Sequence, residues 1–325
     1  MGTLKVGVIG VGHLGQHHAR IYSELPQTRL VGVVDSDQDR AAEISQRFGV
    51  SHDAHWRKLL GQVEAVSVAV PTSKHREVVG ACLSAGVHVL VEKPLASSLE
   101  EGRDMVQLAN HKGVILQVGH VERFNPVRDL VQDIIHKPGF IECHRLAPFQ
   151  LRGTDVDVVL DLMIHDVDLI LSFGLGQVNK VEAVGVAVLS QQVDFANARV
   201  EFSEGCIVNF TASRISTGRL RKMRLFQTNL YLSVDYQSRQ GIVYRQQALA
   251  TAEPSVIEES IQAGEEEPLK RELEAFVQSI QTGKSHGVSG EEGLAALELA
   301  HSIIYSIHGT PLPTAGLSNI AVPFM

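Results

Sequence analysis

A chain of 325 residues exceeds what one small core organises, so two domains are expected, and 44% hydrophobic against 20% charged residues reads as globular throughout. The formal net charge of −8 works against counterion-release binding to nucleic acids or anionic membranes, which removes both as expected partners. Cys82, Cys143 and Cys206 are widely spaced and form no CxxC pattern, and the apolar run Val6–Val11 is too short to span a membrane and lacks a cationic lead and cleavage site; both features lead to the expectation of a cytoplasmic protein.

The first 120 residues alternate apolar runs of strand length with amphipathic stretches of helix length. The runs Val6–Ile9, Leu30–Val34, Ala65–Val70, Val87–Val91 and Val114–Val118 are nearly continuous, as strands covered on both faces are. This rhythm predicts a doubly wound parallel sheet over residues 1–120. Past Phe124-Asn125-Pro126 the texture changes. One long helix, Val156–Leu171, is followed by Val181–Leu189, Phe195–Phe202, Cys206–Ala212, Leu225–Asp235 and Ile242–Tyr244 with short polar turns between them, which predicts an α+β domain over 121–325 with a large, mostly antiparallel open sheet. Pro268 opens a first closing helix that Gly283 ends, and Ser289 with Glu292 forms a capping box for a second; both helices are available to pack back on the first domain.

Strand Val6–Ile9 runs directly into Gly10-Val11-Gly12-His13-Leu14-Gly15, and a helical pattern follows from Gln16. In that context the three glycines have separate tasks: a tight turn, close approach of backbone to a pyrophosphate, and close packing of helix on strand. The helix start offers free N–H groups to phosphate through His13, Leu14 and Gly15. Asp35, twenty positions after Gly15 at the end of the second strand, is placed to accept hydrogen bonds from the adenosine ribose hydroxyls and to repel a 2′-phosphate. A Rossmann domain that takes NAD in preference to NADP is therefore expected. Arg40 lies close enough to Asp35 to complicate that choice, with a plain helix-surface cation as the alternative reading.

Further segments carry a resemblance. Val70-Pro71-Thr72-Ser73-Lys74-His75 and Val87-His88-Val89-Leu90-Val91-Glu92-Lys93-Pro94, then Gly119 through Pro126, Asp161-Leu162-Met163-Ile164-His165-Asp166 and the closing helix pair, resemble the Gfo/Idh/MocA family over essentially the whole chain. The Glu-Lys-Pro after an apolar strand is its most specific mark. The resemblance implies a nicotinamide cofactor, contacts to it from Val70, Pro71, Thr72, His75, Glu92 and Lys93, and a sugar-like alcohol substrate. Within the family, Gly119–Asp168 is most similar to the branch that oxidises C3 of UDP-N-acetylglucosamine to the 3-keto sugar used for lipid A. His13 stands where many relatives place another residue, which leaves backbone contact to pyrophosphate intact. The resemblance also implies that the outer face of the second sheet packs subunits into a homodimer or homotetramer.

The catalytic candidates fall on the long helix. Val156–Leu171 is apolar almost all round, yet Asp157, Asp161, His165 and Asp168 recur at helical spacing as one narrow polar stripe, built from residue types that are poorer helix formers than a solvent face prefers. Oxidising a secondary alcohol requires a base within hydrogen-bond reach of the hydroxyl, and an imidazole with an unperturbed pKa of about 6.5 suits that task. His165 is the candidate base, with Asp161 one turn earlier to fix its tautomer. Lys93, at the carboxyl edge of the parallel sheet, is the candidate to polarise the substrate oxygen or relay its proton. From its own residues Lys93 also reads as a surface lysine paired with Glu92; the motif is what raises it, and in the resembled family this lysine, histidine and aspartate meet at the substrate. Arg123 and Asn125 are candidates for substrate phosphate or hydroxyl contacts, or equally for a hydrogen-bond set at the domain junction. His75 reads equally as a capping or packing residue. No second cluster completes a metal site, so no metal is expected. The competing functions are a dehydrogenase or reductase of a free sugar, inositol or other small metabolite, and a non-catalytic NAD sensor; the joint presence of Lys93, Asp161 and His165 argues against the sensor.

Overall fold

The computed structural model describes residues 2–150, 156–247 and 255–309. By contact the chain divides into two compact units: Met1–Phe124 with Glu267–Leu297, and Asn125–Glu266 with the chain from Glu298. Among the described residues no helix is long and apolar enough to cross a membrane.

The first unit runs β1 (Leu4–Ile9), α1 (Gly15–Glu24), β2 (Thr28–Val34), α2 (Gln38–Phe48), β3 (Ser51–Asp53), β4 (Ala65–Val68), α3 (His75–Ser84), β5 (His88–Glu92), α4 (Leu99–Lys112) and β6 (Leu116–Gly119). Its six strands are parallel in the order β3-β2-β1-β4-β5-β6. The reversal of order falls between β1 and β4, so the loops after these two strands open side by side at the carboxyl edge, where sheets of this kind bind ligands. β3 is an addition to the five predicted strands. Its three residues Ser51, His52 and Asp53 are polar and sit at the sheet edge, so no apolar run announces them. The predicted helix at Pro268 is α7 (Pro268–Thr282), ended by Gly283 in the left-handed region at φ 69°. Leu273, Phe276 and Val277 of α7 complete the core cluster that holds Leu4, Val6, Val8, Ile21 and Tyr22. The capping box is reciprocal: Ser289 N–H donates to Glu292 Oε2 at 2.9 Å and Glu292 N–H to Ser289 Oγ at 3.2 Å.

The second unit runs α5 (Pro126–Gln132), β7 (Pro138–Leu146), a π-helical turn over Val159–Met163 that continues as α6 (Ile164–Leu171), then β8 (Val178–Val186), β9 (Phe195–Phe202), β10 (Ile207–Ser213), β11 (Leu220–Gln227), β12 (Leu230–Asp235), β13 (Gln240–Gln247) and β14 (Ser255–Gln262); α8 (Gly290–His308), the last described element, belongs to the first unit up to Leu297 and to the second from Glu298. The eight strands form one sheet, β14-β13-β12-β11-β7-β10-β9-β8, antiparallel except for the β7–β10 pair. The run expected as one strand over Leu225–Asp235 is two, folded back at Asn229 (φ 61°), so that Leu225 faces Leu232. β7, central in the sheet, was not expected. Its inward positions read Ile141, Cys143 and Arg145, and the arginine breaks the apolar alternation that would have marked a strand. The long helix is also irregular: its first turns are π-helical, with Ile164 N–H returning to the carbonyl of Val159.

Candidate active site

The glycine loop has the geometry its sequence implies. Gly10 takes φ +85°, and Gly15 lies so close beneath it that a Cβ there would stand 1.8 Å from the Gly10 carbonyl oxygen. A Cβ on Gly12 would meet nothing nearer than Arg40 Nη1 at 3.8 Å, so the loop leaves open space above Gly12. α1 follows Leu14 at its N-cap position, with no side-chain cap and no acidic residue in its first turn. Uncapped N–H groups, an open glycine and a cleft walled by Gly12, His13, Gln16, Arg40 and Glu43 make a fit for the pyrophosphate and adenosine end of a dinucleotide.

Asp35 follows β2 and is held rather than free to swing. Its Oδ2 accepts from Val11 N–H at 2.9 Å and its Oδ1 from Asp37 N–H at 2.9 Å, leaving one lone pair on each oxygen for ribose hydroxyls. Arg40, on α2, lies with Nη1 3.6 Å from Asp35 Oδ2 and Nη2 3.1 Å from Asp37.

Val70, Pro71 and Thr72 follow β4, and Glu92 ends the neighbouring strand β5 with Lys93 directly after it. His75 is the first residue of α3. Its imidazole is buried, with Nε2 3.0 Å from the Val70 carbonyl and Nδ1 3.0 Å from that of Pro94. Burial holds its pKa below the usual histidine value despite these carbonyls. It therefore braces the two loops against each other, the packing role expected as one of its two readings. Lys93 is half-buried and joined to Pro94 by a cis peptide bond.

The sequence reading passed over His18. In the structure His18 Nε2 lies 3.0 Å from Glu92 Oε1, with His18 only 1% exposed. Burial opposes charge on Glu92, but the hydrogen bond and charge of His18, with the charge of Lys93, outweigh it and hold this carboxyl below the usual glutamate value. His18 sits on α1, so the pair ties the phosphate-facing helix to the Lys93 strand. A histidine three positions past Gly15 carries no spacing signal that points 74 residues ahead.

Arg123 and Asn125 are both committed to the fold. Arg123 Nη1 pairs with Glu292 Oε1 at 2.8 Å within the first unit. Asn125, in the second, caps α5 through its carbonyl (Val127 N–H, 3.3 Å) and donates from Nδ2 to Tyr236 O at 3.0 Å. Each thus takes part in a structural hydrogen-bond set, the second of the two roles expected for it.

In the second unit, Asp161 lies on the π-helical turn and His165 on the first turn of α6, both half-buried. Asp168 is 0% exposed, so the stripe expected to line a wet surface is buried at that end; the change from π to α geometry breaks the single periodicity on which the stripe was projected. The segment is pinned before and after His165. Asp157 Oδ1 accepts from Val193 N–H at 3.0 Å, and Arg214 donates to the carbonyls of Val156 and Val193 at 2.8 and 2.9 Å while pairing with Asp194 at 2.9 Å. Asp194 Oδ2 takes the N–H groups of Val188, Leu189 and Ser190. Burial opposes the charge on Asp194, yet these donors and the Ser190 hydroxyl hold its carboxyl well below the usual aspartate range. After His165, Asp166 makes a buried two-pronged pair with Arg145 of β7 at 2.7 and 3.0 Å.

A doubly wound sheet with a dinucleotide loop, joined in sequence to an open mixed sheet whose helix carries Asp161 and His165, defines a two-part nicotinamide oxidoreductase. Comparison with known proteins agrees. Residues 4–120 match the oxidoreductase family with an NAD-binding Rossmann fold, and residues 148–232 match the GFO/IDH/MocA C-terminal domain. The chain is 36% identical to the UDP-N-acetylglucosamine 3-dehydrogenase of Acidithiobacillus ferrooxidans over 90% of its own length and 95% of that protein's. It is 28% identical to the myo-inositol 2-dehydrogenase of Thermotoga maritima over 92% and 95%. The solved structure of the Acidithiobacillus enzyme superposes with a TM-score of 0.88 at 33% identity, covering 95% of this chain and 99% of that one. Levoglucosan dehydrogenase in complex with NADH and levoglucosan shares the fold, with a TM-score of 0.85 at 19% identity over 94% and 97%. The chain belongs to the Gfo/Idh/MocA family of oxidoreductases and binds NAD.

Proposed function

We propose that this protein oxidises a secondary alcohol on a sugar nucleotide, the C3 hydroxyl of UDP-N-acetylglucosamine, to the 3-keto sugar. The observation that carries the reaction class is a half-buried His165, four residues from Asp161, on a helical segment pinned at Asp157 and Asp166. The substrate rests on the 36% identity to an enzyme of that name over nine-tenths of the chain.

NAD, when bound, supplies the hydride acceptor. The chain's own residues do the rest. Gly12 and the start of α1 receive the pyrophosphate through backbone N–H groups, and Asp35 accepts from ribose hydroxyls. His165 accepts the proton of the C3 hydroxyl, and Asp161 stabilises the imidazolium that results. Lys93 stabilises negative charge on the substrate oxygen as that proton leaves. The ketone so formed is the class of compound that a transaminase converts to an amino sugar.

The test is NADH formation from UDP-N-acetylglucosamine, followed by absorbance, with free N-acetylglucosamine and myo-inositol as comparison substrates. His165→Ala is expected to lower kcat by about 10²- to 10⁴-fold, the usual contribution of general acid–base catalysis. Lys93→Met is expected to lower kcat as well, with both variants still binding NADH. Turnover of myo-inositol but not the nucleotide sugar would move the substrate to the inositol class represented by the Thermotoga relative, and unchanged kcat in His165→Ala would remove that residue as the base.

A further inference from the structure

Glu92 directly precedes Lys93, and three elements of the first unit close on its carboxyl group. From α1, His18 brings Nε2 to 3.0 Å from Oε1. From β6, Gly119 pairs with Glu92 in the sheet, and a Cβ on that glycine would stand 3.1 Å from Oε2, so the carboxyl lies against a residue that has no side chain to displace it. From α3, the His75 imidazole acts on it through charge. The side chains of His18 and Glu92 are 1% and 12% exposed. A carboxyl enclosed in this way is costly to ionise unless a donor and a positive charge meet it.

The far side of the His18 ring fixes the direction of the hydrogen bond. Nδ1 is buried with no hydrogen-bond partner among the described residues, so a proton there would be left without an acceptor, whereas on Nε2 it meets a carboxylate. His18 therefore donates to Glu92 and favours its anionic form. Lys93 favours that form too, and together they hold the carboxyl below its usual value against burial. Attraction between two charges is mutual, so the carboxylate that Lys93 helps to ionise favours the ammonium form of Lys93 in return. One peptide unit links the two residues, and whatever fixes Glu92 also fixes where β5 delivers the lysine.

We propose that His18 is a positioning residue for the reaction: it holds Glu92 as a carboxylate against β6, and Glu92 in turn keeps Lys93 charged and in place for the substrate oxygen. This rests on the role given above to Lys93. It adds that the charge of that lysine is set from α1, the helix whose start receives the pyrophosphate, by a residue that takes no part in proton or hydride transfer.

The experiment reads Lys93 itself. The full chain is saturated with NAD, without substrate, and acetylated at pH 8 by an amine-reactive reagent; peptide mass spectrometry follows the rate at Lys93, with the exposed Lys5 and Lys112 as internal standards. Only the neutral amine reacts, so loss of the neighbouring carboxylate should raise the rate about three- to tenfold in Glu92→Gln and in His18→Leu. Glu92→Gln keeps the shape of the side chain and serves where His18→Leu does not fold. For whichever alcohol the protein oxidises, kcat should fall about tenfold in both variants, with KM for NAD little changed because the glycine loop and Asp35 are untouched. His18→Gln, which keeps a donor, should return both readouts most of the way to wild type. Unchanged acetylation of Lys93 in Glu92→Gln, with Lys93→Met slow, would overturn this proposal alone. Lys93→Met with wild-type kcat would remove the lysine from the reaction and this proposal with it.

Discussion

Glu92 and His18 show how a single buried pair can decide the charge at the edge of a site. Removal from water alone would drive the Glu92 carboxyl toward its neutral form, and His18 together with Lys93 reverses that direction. A carboxyl held below its unfolded value of about 4.3 contributes stability that is fully present above that pH and is lost as pH falls through the folded value. His18→Leu removes the partner and leaves burial in command, so the contribution at neutral pH should become a penalty. Urea unfolding at pH 7 should show a loss of about 1–3 kcal/mol, shrinking toward pH 4 as the buried Glu92 of the variant takes up its proton. His18→Gln, which retains a donor near the Nε2 position, should recover most of it. A His18→Leu protein as stable as the wild type at both pH values would show that the contact carries no charge coupling.

The segment that carries Asp161 and His165 owes its placement to neighbours far along the chain. Arg214 and Asp194 hold its entrance and Arg145 with Asp166 its exit, and the first of these pairs is almost wholly buried, Asp194 at 0% and Arg214 at 3% exposed. Breaking one partner of such a pair leaves the other charge buried without compensation, which typically costs about 3–5 kcal/mol. Asp194→Ala should lose that much in denaturant unfolding, and kcat should fall in those molecules that remain folded. Full activity with unchanged stability would mean that Val156 and Val193 need no such anchor. These networks also explain what could and could not be read from the chain. The parallel sheet, the glycine loop, Asp35, the Pro268 helix and the Ser289 capping box were legible because each is a local pattern with a local cause. β7 was not, because its inward Arg145 is tolerable only with Asp166 some twenty residues later. Nor was the π-helical turn, since a change in residues per turn leaves no mark in composition. The structural contacts of Arg123 and Asn125 were not legible either, because their partners Glu292 and Tyr236 lie far along the chain.

At the scale of the whole molecule, the outer face of the eight-stranded sheet bears a row of aromatic rings. Phe140, Phe226, Tyr231 and Tyr244 stand on the neighbouring strands β7, β11, β12 and β13 with centroids 5.8, 5.0 and 5.9 Å apart, and Phe226 is 37% exposed. Charged residues flank the row, among them the ion pair of Arg224 with Glu142. Aromatic anchors set among charges that can pair across an interface suit association with a second copy. The chain is expected to sediment as a dimer or tetramer, and Phe226→Glu to shift it toward the monomer with its unfolding midpoint little changed when measured at high dilution. A wild-type chain that is monomeric at micromolar concentration would remove this face as an interface.

The first unit is written in two pieces, and that has a consequence in time. Leu273, Phe276 and Val277 of α7 belong to the same core as Leu4, Val6 and Tyr22, yet roughly 140 residues of the second unit stand between the end of the first piece and the start of the second. A ribosome adding about 5–20 residues per second needs roughly 7 to 28 s to cross that interval. Throughout it the six strands of the sheet can form while α1 lacks the helix that covers it. The newborn domain must therefore wait, with apolar surface open, for the part of the message that encodes the last helix of its core.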